Sequence, residues 1–298
     1  MKWLVQLSWK DIAKDLARQI SEDDVFNGAA ALGFYLTLAV FPGLIFLLSL
    51  LPYLPIPHLD DAIMDVLART LPQEAADLLE ETVRRIVSAK QGRLLSFSFL
   101  GMLWVASTGM IAVMQQLNNT NNVPEARPFL KARATAILLT LLFGSLVIGL
   151  FTLVIMGGFL EGWIAQFVGP RPAMLYLFTF LRWGLVLSTL LLGFALIYYL
   201  APNVDQPLRL LTPGSVFAVV VLLMASQGFR VYIEHFADYE ATYGAIGAVI
   251  VLMLWFYLAG LVLLIGSEIN VVFDQHRLAA HPETGARSES SHRKSAVP

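Results

Sequence analysis

Three clusters of amide, guanidinium and carboxyl side chains interrupt an otherwise apolar sequence. The first is Gln115, Gln116, Asn118, Asn119, Asn121 and Asn122, with Arg127 following in a short connection. The second is Tyr198, Tyr199, Pro202 and Asn203, and the third is Glu268 and Asn270. Each closes a long apolar block. An ionisable group at membrane depth costs about 3 kcal/mol on insertion scales, so it needs a partner, an interface or a role. Brought to one mouth, an Asn/Arg/Glu cluster can hold a polar headgroup or gate a cavity. The plainer reading is that these groups cap helix ends and that Arg127 pairs with Glu268, because helix termini leave backbone groups unsatisfied. A fourth set, Arg182, Arg230, Glu161, Glu234 and Tyr243, falls at the opposite ends of the blocks. Arginine offers phosphate or carboxylate a two-pronged fork; snorkelling anchors are the bland alternative.

Other chemistries lack their residues. The histidines are His58, His235, His276, His281 and His292, and none stands in an HExxH array. With no cysteine, disulfides, thiolate catalysis and Cys-ligated zinc are excluded. No GxxxxGK[ST] loop and no G-x-S-x-G elbow occurs. The acid pairs Asp60/Asp61 and Glu80/Glu81 read as solvated helix faces. No metal and no cofactor is expected, and transport or scaffolding is favoured over enzyme catalysis.

The elements that must position these residues follow from composition. Of 298 residues 57% are hydrophobic and 14% charged, with a net charge of -2. That balance gives no basic surface for nucleic acid. Six blocks reach the roughly 20 residues a helix needs to cross the hydrocarbon layer: Ala29 to Leu51, Leu94 to Leu117, Ala134 to Leu160, Phe180 to Leu200, Leu211 to Val231, and Gly244 to Ser267. The predicted fold is all-α, a polytopic membrane protein with six transmembrane helices plus amphipathic interfacial helices. Residues 1–28 read as an amphipathic helix on Val5, Trp9, Ile12, Leu16 and Ile20, lying in the headgroup layer, packed on the bundle, or both. Residues 29–275 form the membrane domain. Within it, 52–93 reads as a two-helix loop with Pro72 opening its second helix and Gly92 ending it. Residues 276–298 read as a disordered tail. Pro42-Gly43 is expected to kink or loosen the first span. The pairs Ala29/Gly33, Ser145/Gly149 and Gly244/Ala248 permit close helix approach.

Six spans put both termini on one side. Lys and Arg number 12 on that side and 8 on the other, five of these eight in the long loop. The positive-inside rule then predicts cytoplasmic termini.

Several separated motifs resemble the YihY/BrkB family of bacterial inner-membrane proteins over roughly residues 20–277. They are AAALGFYLTLAVFPGLIFLLSLL with its Pro42, Leu117-Asn118 with Arg127 downstream, YYLAPN with Pro202, and TPGSVFAVV with Gly214. The strongest runs from Tyr232 to Asn270, with Tyr243-Gly244, Trp255-Phe256-Tyr257 and Gly266-Ser267-Glu268-Ile269-Asn270. Ser267 stands where the family usually has Ala. The resemblance implies six spans in the plasma (inner) membrane and cytoplasmic termini. It also implies, through links of some members to lipid export, a translocator of a lipid-like or anionic amphiphile, with membrane lipids as partners. The alternative is a non-transporting scaffold or envelope-integrity factor. The family's ribonuclease label finds no catalytic array and no basic groove here.

Overall fold

A computed structural model describes residues 9–50, 92–168, 172–204, 209–243 and 245–280. These residues form α1 (Trp9–Glu22), α2 (Val25–Leu50), α3 (Gly92–Thr120), α4 (Phe129–Val168), α5 (Pro172–Leu200), α6 (Pro213–Tyr243) and α7 (Ala245–Ala280). The helices α2 to α7 each carry a segment long and apolar enough to cross a membrane, making 6 spans. They are the six expected blocks, each lengthened by several residues at one or both ends. The chain is an all-α, multi-pass membrane protein. Helix is the natural solution, because lipid offers no partner to a backbone N–H or C=O. The two-helix segment expected within 52–93, residue Gly244, and the tail from 281 onward lie outside the described residues.

The helix order closes on itself. α2 packs most extensively on α3 and α7, α7 also packs on α6, and α3–α4, α4–α5 and α5–α6 contacts complete the circuit. The core comes largely from helix ends: Val25, Ala29 and Leu32 of α2, Met114 and Leu117 of α3, Ala136 of α4, Tyr198 of α5, and Leu264 of α7. These ends meet at one level, called here the α1 end. α7 runs on for twelve residues beyond Glu268, roughly 18 Å at the helical rise, past His276 to Ala280. α1 lies along this extension. Gln19 Nε2 donates to Gln275 Oε1 at 3.0 Å, and His276 Nε2 lies 3.0 Å from an Asp15 carboxylate oxygen. Ile12 is buried. The N-terminal helix therefore packs on the bundle, one of its two expected placements.

Small residues set the closest approaches. A Cβ on Gly33 would stand 3.2 Å from the Met253 carbonyl oxygen, and one on Gly260 3.3 Å from that of Ala29. Ala29/Gly33 thus seats α2 on α7. Gly214 abuts the Gly266 carbonyl and Asn270, and Gly266 abuts the Tyr198 hydroxyl, so α5, α6 and α7 converge there. Ser145/Gly149 differs from expectation. Gly149 has nothing within 4 Å of its Cβ position among the described residues, so that pair seats none of the described helices. Pro42 leaves α2 continuous from Val25 to Leu50.

Candidate functional site

The end of α3 is capped by its own amides. Asn121 Nδ2 donates to the Leu117 carbonyl at 2.7 Å, and Asn122 takes a left-handed φ of 54°. This is the cap geometry that Asn tolerates. Asn118 reaches outward instead. Its Oδ1 accepts the Asn203 N–H at 2.7 Å, and its Nδ2 donates to Glu125 Oε2 at 2.9 Å. Arg127 donates to the carbonyls of Ala201 at 3.2 Å and Pro202 at 2.9 Å, with Glu125 at 3.8 Å. The expected Arg127–Glu268 pair is therefore replaced. These two carbonyls lie just past the end of α5, where no helical N–H follows to serve them, and the planar guanidinium fork serves both at once.

The start of α6 is tied to α7. Thr212 and Ser215 cap reciprocally, each backbone N–H donating to the other's hydroxyl at 3.0 and 3.1 Å. Pro213 suits the first helical position, having no N–H to lose. Asn270 Oδ1 accepts the Gly214 N–H at 2.8 Å, and the Tyr198 hydroxyl donates to the Leu263 carbonyl at 2.9 Å. Beside this knot α5, α6 and α7 enclose a cavity of about 210 Å³, lined by Tyr198, Tyr199, Arg209, Asn270, Asp274 and Arg277 among others. Arg209 and Asp274 pair at 3.0 Å. Two guanidinium groups against one carboxylate leave a cationic lining suited to phosphate or carboxylate.

Glu268 is in a different situation. Its side chain is 0% exposed, and among the described residues no donor reaches either of its carboxylate oxygens. Its carboxyl neighbour is Asp23, at the corner between α1 and α2. Burial pushes the Asp23 carboxyl above its ordinary 3.8; the bond to Glu268 lowers it and the Glu22 charge raises it. Asn119 does not touch the α5 and α6 knots. It lines an open depression with Glu22, Asp23, Asp24 and Asn122. Next to Glu268, Ser267 and Thr120 share a hydroxyl–hydroxyl bond of 2.7 Å. Sequence reasoning missed Asp23, because an acid just before a helix reads as an ordinary cap.

The opposite-end set stays separate. Arg182 lies 18 residues before the end of α5 and Arg230 17 residues into α6, both roughly 26 Å from the α1 end. Arg182 sits 5.7 Å from the Trp183 ring centre, and Arg230 lines a shallow groove with Phe229 and Trp255. Tyr243 is the last residue of α6. A cation also missed is Arg133 in α4. It is buried, stacks 3.8 Å over Trp104 and donates to Thr108 Oγ1 and the Trp104 carbonyl, both at 3.2 Å. No local spacing links it to Trp104. Among the described residues no group of three or more His, Cys, Asp or Glu could hold a metal.

Asn118, Arg127, Tyr198, Asn203, Gly214 and Asn270 thus meet in one knot at the α1 end, and residues 16–291 match the family model described as virulence factor BrkB. The chain belongs to the BrkB family. A ribonuclease-like protein of Bacillus subtilis, YfkH, is 36% identical over 89% of this chain and 95% of its own length. A UPF0761 membrane protein of Alkalilimnicola ehrlichii is 25% identical over 94% of this chain, and one of Xanthomonas oryzae is 26% identical over 88%. The BrkB chain spans 62% of the length of each of these two relatives. No solved structure matches it.

Proposed function

We propose that this BrkB protein moves an anionic amphiphile across or between the leaflets of the plasma membrane. The headgroup enters the cavity between α5, α6 and α7, and both termini face the cytoplasm. The observation that carries this reading is the cavity's lining: Arg209 and Arg277 beside Tyr198, Tyr199 and Asn270, at the level where the spans end. Basic pockets between helices at a membrane border suit lipid headgroups. A second cationic level, Arg182 and Arg230, lies about one hydrocarbon thickness away, where a moved headgroup would emerge.

A flip assay in liposomes with a fluorescent anionic phospholipid tests the reading. Wild-type protein should exceed empty liposomes, and Arg209→Gln with Arg277→Gln should cut the rate about tenfold, the equivalent of one lost charge-assisted hydrogen bond. A wild-type rate equal to empty liposomes would overturn it and leave the scaffold reading. The orientation has its own test. The chain has no cysteine, so a single cysteine introduced near Arg277 is its only thiol, and a membrane-impermeant reagent should label it only from the cytoplasmic side.

A further inference from the structure

The structure leaves one buried group without a use in that reading. Glu268 is fully enclosed, and its two oxygens receive no donor from the described residues. Its neighbour Asp23 also has a buried, unpartnered oxygen, Oδ2. Two carboxylates in direct contact repel, and neither has a hydrogen to give; one proton between them turns the contact into a short, strong hydrogen bond. The pair has an inner and an outer member. Asp23 lines the open depression of about 440 Å³ bounded by Glu22, Asp24, Asn119 and Asn122, while Glu268 is fully buried.

Among the described residues no cation competes for the pair. The corner itself contributes Glu22 and Asp24. Arg18 of α1 is spread between Asp15 at 3.3 Å and Glu22 at 3.9 Å. α3 presents neutral groups, Asn119 at the depression and Thr120 bonded to Ser267. Gln19, one turn before Asp23, is buried with its Oε1 unpartnered. Farther along α7 stand His276, held by Asp15 at 3.0 Å, and Asp274, held by Arg209 at 3.0 Å. We propose that Asp23 and Glu268 form a proton-binding carboxyl pair, loaded from water through the acidic depression, which latches the α1–α2 corner onto α7. Loaded, the pair is a hydrogen bond; unloaded, it is two like charges forced together, and the corner separates from α7.

The probe is the proton alone, so this inference stands or falls independently of lipid movement. Infrared difference spectra of the full chain in nanodiscs should show a protonated-carboxyl stretch at neutral pH. That band should vanish in Glu268→Gln and in Asp23→Asn and persist in His276→Gln. Glu268→Gln keeps the shape of the neutral acid, so it remains folded and usable even if Asp23→Asn loosens the corner. A second reading follows from linkage. Because the folded state raises Asp23, its contribution is fully present below the ordinary 3.8 and is lost as pH rises through the folded value. Wild-type melting temperature should therefore fall as pH rises from mildly acid to alkaline, and that slope should flatten in Glu268→Gln. No band at neutral pH, a band surviving both substitutions, or equal slopes would each overturn the proposal.

Discussion

The two ends of the bundle are built from similarly apolar helices and packed very differently. At the α1 end Ala29, Leu32, Leu117, Ala136, Ala201 and Leu264 are all 0% exposed, and backbones approach closely at Gly33, Gly214 and Gly266. Fifteen or more residues along the same helices, Gly43, Gly101, Gly144, Gly149, Gly184 and Gly228 have nothing within 4 Å of a Cβ position among the described residues. Hydrophobicity cannot account for this contrast, because lipid tails solvate Leu as well as another helix does. Close backbones and polar bonds account for it. The α1 end holds the bonds of Asn118, Arg127, Tyr198, Thr120 and Asn270 to other segments. A membrane bundle is fastened where its polar groups interlock, and the remainder is free to present apolar surface to lipid or to separate.

Substitutions can break or sharpen this contrast. The largest effect is expected from Arg127→Met, which leaves the Ala201 and Pro202 carbonyls without their charged donor. The cost should be about 3 kcal/mol, read as a lowered midpoint of detergent-induced unfolding. Next comes Gly214→Ala. Its methyl would collide with the Gly266 carbonyl and with Asn270, and parting α6 from α7 should cost about 2 kcal/mol. Tyr198→Phe removes the bond to Leu263 and should cost about 1 kcal/mol, measured in the same way. The smallest effects belong to the other end. Gly149→Ala and Gly228→Ala should stay within about 1 kcal/mol of wild type and lie on the stabilising side, since alanine is the better helix former. A Gly228→Ala loss as large as that of Gly214→Ala would show that the far end is packed as tightly as the α1 end.

Much of the site was legible as a set of positions and little of it as a set of contacts. Asn118, Arg127, Asn203, Glu268 and Asn270 were read as one mouth because each closes an apolar block, and the structure gathers them at one end. Asn118 with Asn203, and Asn270 with Gly214, behave as helix-end caps, the plainer expectation. Arg127 also caps, but on α5 rather than with Glu268. Asp23 and Arg133 were not legible at all. Their partners, Glu268 and Trp104, sit on other helices, and nothing in the local pattern of either residue marks the contact.

The chain by itself determined the solvent, the helix type and the six apolar crossings. These rest on runs of about 20 apolar residues and on a backbone that must satisfy itself within each run, both local properties. Only the tertiary structure decided which charged group meets which. That choice depends on the order of helices around the circuit, their rotation and their depth. A shift of one helix by a single turn would exchange one polar partner for another while leaving every apolar block intact.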